Sequence, residues 1–328
     1  MKKFFVVDSH CDTLGRIHKA DWDSFNFDRF RGPINLETME AGSVKLQFFA
    51  AYVDESFQQV GSLRYTLQLI DTFHRLMKRY HSRLTHIKDQ EDIEQLQSQP
   101  NRIGALLAIE GGEALEGSLE MLSIFYRLGV RSIGLTWNHR NLIADGCGES
   151  RTRGGLSRFG HKVITVMEEK NMIIDLAHIS EAGFWDVLAS TSKPLLVSHS
   201  NCRHLCDHPR NLQDRQIKAL QQRSSMLGIN FYPPFLSTNR ENVDINKVVD
   251  HIEHACQVAG SYKHVGVGSD FDGINQFVPY LESAAHYPRL WDALLHRGFS
   301  EEQVKAIAGE NYTAFLKKVL PSRKVTEH

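Results

Sequence analysis

Eight short apolar segments recur along the chain, and each is followed by a stretch with helical periodicity. Segments of this length that are rich in β-branched and other apolar residues suit strands buried on both faces. Strands that alternate with helices form parallel sheets, and eight such repeats close a barrel. The sequence therefore predicts a (β/α)8 TIM-type barrel, with strands at 4–7, 44–53, 103–109, 132–136, 172–176, 194–197, 226–231 and 264–268.

The predicted domain organisation is a single domain over residues 1–328, because no linker-like change in composition divides the chain. A helical C-terminal extension with two or three helices is predicted over 281–319, and 13–33 is predicted as a long loop. The alternative fold is an open doubly wound sheet. No G-x-G-x-x-G motif follows a predicted strand, as the dinucleotide site of that fold would require.

Composition limits which binding partners and which cellular compartment can be expected. A formal net charge of −1 provides no long-range field for nucleic acid or an anionic membrane. No segment approaches the roughly 20 apolar residues of a membrane span, and the apolar run at 4–7 is too short for a secretion signal. The five cysteines are scattered and odd in number, which indicates reduced thiols. We therefore expect a cytoplasmic protein that binds neither nucleic acid nor membrane.

Ionisable side chains follow five of the predicted strands at their carboxyl ends, where (β/α)8 enzymes place their active sites. His10 and Asp12 are two residues apart after the first strand, so their side chains point to the same side. A hydrogen-bonded core residue is the ordinary explanation for any single one of these groups. Buried together, they would be costly unless they bind a metal or each other. The remaining ionisable side chains at the ends of predicted strands are Glu110, His178, His199 and Asp270.

The number of candidate ligands indicates the type of metal centre. Three histidines and two carboxylates exceed the ligands of one four-coordinate zinc ion. They suit two ions about 3.5–4 Å apart that are bridged by one carboxylate and a hydroxide. Hydroxide held between two cations is a nucleophile at neutral pH, and the cations stabilise the oxyanion of a tetrahedral intermediate. The residues therefore predict hydrolysis of an amide or an ester.

Short motifs at these positions carry a family resemblance. They are D-S-H-C-D (8–12), I-E-G-G (109–112), L-T-W-N (135–138), D-L-A-H (175–178), S-H-S-N (198–201), R-N (210–211), N-F-Y (230–232) and G-S-D-F-D-G (268–273). In this order and spacing the chain resembles the membrane (renal) dipeptidase family of binuclear zinc peptidases, within the amidohydrolase-like metal hydrolases. The resemblance covers essentially the whole chain.

The resemblance implies a zinc dipeptidase that cleaves the peptide bond of a dipeptide with free ends, and it allows a D-residue on the carboxyl side. His10 and Asp12 would bind one Zn²⁺ ion. His178 and His199 would bind the other ion. Glu110 and a hydroxide would bridge the two. A homodimer is also implied by the resemblance alone.

Further roles follow from the same resemblance. Asp270 would be the acid/base that takes a proton from the attacking water and gives it to the leaving amine. Arg210 would hold the C-terminal carboxylate of the dipeptide, and Tyr232 would contact the substrate. The family often has a histidine where Trp137 stands, and His139, two residues further on, is the candidate substitute. The family can also have a tyrosine where Phe235 stands. Both differences bear on the substrate range.

Other functions remain open from the sequence alone. A different binuclear amidohydrolase, acting on N-acyl amino acids or lactams, would keep the metals but change the pocket. A catalytically silent metal-binding protein would keep the ligands without the reaction. A phosphoester hydrolase fits the same two-metal chemistry, but Arg210 is the only arginine placed to receive a phosphate.

Overall fold

The fold is known from a computed structural model that describes residues 2–58, 60–149, 151–239 and 243–323. Its strands are β1 (Val6–Asp8), β2 (Val44–Tyr52), β3 (Leu84–His86), β4 (Ile103–Glu110), β5 (Val130–Gly134), β6 (Ile173–Asp175), β7 (Leu196–Ser200), β8 (Met226–Ile229) and β9 (Val265–Val267). Each of the eight predicted strands overlaps one of these. The short strand β3 was not predicted, because it spans only three residues directly after a long helix.

Helices connect the strands throughout the described ranges. They are α1 (Thr13–His18), α2 (Leu36–Ala41), α3 (Ser62–Arg79), α4 (Gln90–Ser98), α5 (Glu120–Arg127), α6 (Arg158–Glu169), α7 (Glu181–Ser190), α8 (Asp214–Gln222), α9 (Pro233–Leu236), α10 (Ile245–Ala259), α11 (Tyr287–Arg297), α12 (Glu301–Lys305) and α13 (Asn311–Val319). The last three form the predicted helical C-terminal part. In the longer helices the sequence period is helical because one stripe of apolar residues faces the interior.

The sheet order is β2-β1-β9-β8-β7-β6-β5-β4-β3, and β2 also pairs with β4. The ladders with a stated register are parallel. Pairing of β2 with β4 closes the eight predicted strands into a ring and leaves β3 outside it. The predicted (β/α)8 TIM barrel is therefore confirmed.

The chain divides into two compact units, which we describe separately. The first unit is Met1–Phe48 with Val197–Phe315, and the second is Phe49–Leu196 with Leu316–His328. In the first unit β1 pairs with β9 through Asp8 and Val267. In the second unit β4, β5 and β6 pair in succession. The single domain over 1–328 stays a prediction.

A tyrosine from the C-terminal helices packs into the core of the first unit. The hydroxyl of Tyr312, in α13, lies 2.6 Å from Ser9 Oγ, which in turn donates to Ser198 O at 2.5 Å. Gly228 of β8 makes room for this contact. A Cβ atom there would lie 2.0 Å from Ser198 O and 2.7 Å from the Tyr312 hydroxyl. The absence of a side chain at Gly228 thus permits the polar contact just below the strand ends.

The segment predicted as a loop over 13–33 is only partly irregular. It begins with α1, whose Leu14 and Ile17 are buried, and the prediction was wrong for those residues. Phe25 and Phe27 are also buried, so the remainder is packed by its own aromatic side chains. The helix was missed because one and a half turns are too short to show a clear period.

Replacing Gly228 with alanine tests this packing. Gly228→Ala is expected to lower the free energy of unfolding by about 1–3 kcal/mol, because the new methyl group overlaps the Ser198 carbonyl. Urea denaturation measures the change. The matched control is Gly15→Ala in α1, where a Cβ meets nothing within 4 Å and no loss is expected. Equal stability of Gly228→Ala and the wild type would contradict the account.

Candidate metal centre

In the first unit, histidine and aspartate side chains converge at the carboxyl ends of β1, β7 and β9. His10 Nε2 lies 3.3 Å from Asp12 Oδ2 and 3.8 Å from Asp270 Oδ1. One ligand atom from each of these three residues lies within 4.8 Å of the other two. The ring of His199, from β7, packs on the ring of His10 with a centroid distance of 3.8 Å. The structure therefore brings together four of the predicted site residues.

Backbone pairing beyond the ends of β1 and β9 places these groups. Asp12 N donates to Phe271 O at 3.0 Å, and Asp270 N donates to His10 O at 3.3 Å. Asp270 has a φ of 65°, a left-handed conformation that is costly for a non-glycine residue. Gly273 then passes so close that a Cβ would lie 2.0 Å from Asp12 Oδ2. Any side chain at position 273 would therefore collide with the carboxylates of Asp12 and Asp270.

The oxygen atoms of this cluster fit a divalent cation. Asp12 Oδ1 is buried and has no hydrogen-bond partner among the described residues. A buried acceptor without a donor is unfavourable unless something else satisfies it. Imidazole nitrogen and carboxylate oxygen are the ligand atoms that zinc prefers, along with thiolate. His199 Nδ1 is engaged by Ser198 Oγ at 2.8 Å, which fixes the orientation of its ring.

In the second unit, the side chains of His178 and Glu110 form a close pair. His178 Nε2 lies 2.9 Å from Oε1 of Glu110, the last residue of β4. Both residues are buried. His178 follows β6 with a φ of 68°, again left-handed. Its ring also stacks on Trp137, with a centroid distance of 5.8 Å.

Asn138 orients His178, a role that the sequence interpretation missed. His178 Nδ1 donates to Asn138 Oδ1 at 2.8 Å, since the amide oxygen can only accept. This hydrogen bond selects the tautomer and directs Nε2 toward Glu110, as outer partners of metal-binding histidines do. The signal was present in the sequence, because Asn138 belongs to the L-T-W-N motif.

Burial raises the pKa of Asp270. Removal from water raises the pKa of its carboxyl group to about 6, although charge on His10 acts in the opposite direction. Asn230 Nδ2 donates to Asp270 Oδ2 at 2.9 Å. The sequence interpretation included Asn230 in the N-F-Y motif without giving it a role.

Arg210 is a buried cation in the first unit. Only 5% of its surface is exposed, and Nη2 donates to His199 O at 3.0 Å. Its guanidinium group lies 5.6 Å from the ring centroid of Phe235. Its Nε is buried and has no hydrogen-bond partner in the described part of the chain. This arrangement suits the binding of an anion.

The two remaining predicted substrate contacts lie in more open surroundings. His139, in the second unit, is 55% exposed, and its Nε2 lies 3.4 Å from Glu55 Oε1. It lines a pocket of about 900 Å³ together with Glu55 and Glu113. Tyr232, in the first unit, donates its hydroxyl to Asn275 Oδ1 at 3.3 Å. Their contacts with a substrate stay predictions.

A (β/α)8 barrel with histidine and carboxylate side chains at the carboxyl ends of its strands is an arrangement that suits a metal-dependent hydrolase. The model of the family described as membrane dipeptidase (peptidase family M19) matches residues 1–327. The chain belongs to this family. It is accordingly a metallopeptidase of the dipeptidase type, an enzyme that hydrolyses peptide bonds.

Curated relatives agree with this assignment, and solved structures agree with the fold. An uncharacterized dipeptidase of Schizosaccharomyces pombe is 32% identical, over 94% of this chain and 79% of the relative. The dipeptidase aclJ of Aspergillus oryzae is 33% identical, over 95% and 75%. The crystal structure of an M19 metallopeptidase, dipeptidase AC, has a TM-score of 0.90 at 24% identity, over 97% of this chain and 99% of that one. A metallopeptidase from Rhodobacter sphaeroides, liganded with a phosphinate mimic of L-Ala-D-Ala, has a TM-score of 0.89 at 23% identity, over 97% and 100%.

Replacing Asn138 tests its role in orienting His178. Given the prediction that His178 is a metal ligand, Asn138→Ala is expected to weaken metal binding by about 10- to 100-fold, because the histidine loses its fixed tautomer. The affinity is measured by titrating the metal-free protein with Zn²⁺ in the presence of a competing chelator. The control is Asn141→Ala in the same loop, where the amide donates to Leu135 O and Glu113 instead. Equal affinities for the two variants would contradict the role of Asn138.

Proposed function

We propose that the protein is a zinc-dependent dipeptidase that hydrolyses the single peptide bond of L-L and L-D dipeptides. The observation that carries the proposal is Arg210, a buried guanidinium group whose Nε has no partner among the described residues. A free C-terminal carboxylate would complete its hydrogen bonding. A structural neighbour of the same fold was solved with a phosphinate mimic of an L-D dipeptide, which supports this class of substrate.

Two Zn²⁺ ions are the proposed cofactors. His10 and Asp12 would hold one ion, and the buried Asp12 oxygen without a hydrogen bond supports this assignment. His178 and His199 would hold the other. Glu110 would bridge them. All five residues lie in the last residues of a strand or just beyond it, where a (β/α)8 barrel places its active site. When bound, the ions supply an activated water and polarise the scissile carbonyl.

Asp270 is the proposed proton carrier. It would accept the proton of the attacking water and pass it to the leaving amine. The pKa of about 6 that burial gives Asp270 places the carboxyl group near the range in which it can do both. Tyr232 and His139 remain the proposed additional substrate contacts.

The remaining proposals concern the setting of the enzyme. We assign it to the cytoplasm, as a single domain over 1–328 that acts without nucleic acid or membrane and forms a homodimer. All five cysteines are free thiols, which supports a reducing compartment. Separately, no described helix combines the length and the apolar character needed to cross a bilayer.

A dipeptide screen on zinc-loaded protein tests the proposed function. The wild type is expected to hydrolyse L-L or L-D dipeptides, and Asp270→Asn is expected to lower kcat by about 10²- to 10⁴-fold because the proton carrier is lost. Metal analysis of both proteins shows whether two ions are retained. Hydrolysis of N-acyl amino acids or lactams but not dipeptides would overturn the proposed substrate class, and a normal rate for Asp270→Asn would overturn its role.

A second experiment examines the carboxylate contact of Arg210. Arg210→Met is expected to raise KM for a dipeptide by about 10- to 100-fold, since a charge-assisted hydrogen bond is lost. A dipeptide amide lacks the C-terminal charge and should be hydrolysed with similar kcat/KM by both proteins. If the variant lost as much kcat/KM on the amide as on the free acid, Arg210 would not bind the carboxylate.

A further inference from the structure

We propose that Asn230 is a positioning residue that assigns proton transfer to one oxygen of Asp270, Oδ1, by holding the other oxygen, Oδ2. The proposal rests on the proposed function of Asp270. It goes further because it distinguishes two atoms of one carboxyl group and gives a role to a residue outside the predicted catalytic set. All the contacts that carry it lie in the first unit.

The orientation of the Asn230 amide is determined by its surroundings. Its oxygen accepts a hydrogen bond from Tyr232 N at 2.6 Å. Because a backbone N–H can only donate, the atom facing Tyr232 is Oδ1. The NH₂ group therefore faces Asp270 and donates to Oδ2 at 2.9 Å.

A neighbouring asparagine fixes the backbone of Asn230. Asn201 follows β7, and its Oδ1 accepts from Asn230 N at 3.1 Å. Its Nδ2 donates to Asn230 O, also at 3.1 Å. Both asparagines are fully buried, so water does not compete for these bonds. The backbone of Asn230 is thus held by Asn201, and its side-chain amide is held by Tyr232 N.

The other oxygen of Asp270 faces the metal-ligand residues. Oδ1 lies 3.8 Å from His10 Nε2. A Cβ added at Gly273 would lie 2.6 Å from Asp270 Oδ1 and 2.0 Å from Asp12 Oδ2, so these two oxygens border the same small space. The carboxyl group is therefore asymmetric, with one oxygen bound to an amide and the other directed at the reaction site.

This asymmetry determines where the proton is carried. A new O–H bond forms at Oδ1 when the attacking water gives up its proton, and the carboxylate becomes a neutral acid. The same O–H bond breaks when the proton passes to the amine nitrogen as the C–N bond breaks, and the carboxylate is restored. Oδ2 accepts from Asn230 throughout. The carbonyl oxygen of a neutral acid is a better acceptor than its hydroxyl oxygen, so the amide favours protonation at Oδ1.

Asn230→Asp tests the proposal, because it keeps the acceptor for Tyr232 N, replaces the amide donor and places a second carboxyl group beside Asp270. We expect kcat on a dipeptide to fall about 10- to 100-fold with KM and metal content nearly unchanged. An analogue with a nitrophenyl ester needs no proton on its leaving group, so its kcat should fall much less. Asn230→Ser removes the donor without adding charge, because its hydroxyl is too short to reach Asp270 but can still accept from Tyr232 N. It should show the same difference between peptide and ester, whereas an effect confined to Asn230→Asp would come from the added charge and would overturn the role of the amide.

Asn311→Asp is the matched control. This buried asparagine, in α13, donates to Val265 O and Tyr262 O, away from the site. We expect a lower Tm and an unchanged ratio of peptide to ester rates. Equal losses on peptide and ester for Asn230→Asp, or no loss, would overturn the role of Asn230. A wild type inactive on dipeptides would instead overturn the proposed function.

Discussion

Asp8 is a fully buried carboxylate on which the geometry of the first unit depends. It accepts from Ser269 N at 2.9 Å, Ser269 Oγ at 2.6 Å, the Tyr287 hydroxyl at 2.8 Å and His10 N at 3.3 Å. Burial raises its pKa, and these donors oppose that rise. Because a buried charge without partners is strongly unfavourable, the donors and Asp8 must keep their positions together. The end of β1 is thereby tied to the residue that precedes Asp270.

The strained backbone at the site depends on such ties. His178 and Asp270 both have left-handed φ angles, which cost about 1–3 kcal/mol each for residues with a side chain. Each of them is held by an amide side chain, Asn138 for His178 and Asn230 for Asp270. An unstrained backbone would direct these side chains elsewhere. The amides therefore help to maintain the direction that the chemistry requires.

The barrel was predictable because it depends on a pattern that repeats eight times. Parallel strands buried on both faces are continuous apolar runs, and errors in single boundaries do not change the count. The position of the candidate ligands was predictable for the same reason, since the carboxyl end of each strand is read directly from where its apolar run stops. Within the first unit His10, Asp12 and Asp270 lie close together as this reasoning requires. Their metal-binding roles remain proposals.

The residues that orient His178 and Asp270 could not be predicted in this way. Asn138 and Asn230 act through the direction of one amide group, which depends on a second contact elsewhere. Such a contact is a distance of about 3 Å between atoms, whereas a sequence pattern places a residue only to within a turn or a strand end. The same limit explains Gly228, whose lack of a side chain matters only because Tyr312 enters from a distant helix. Sequence periodicity therefore locates the candidate ligands, and the three-dimensional contacts determine how their side chains are directed.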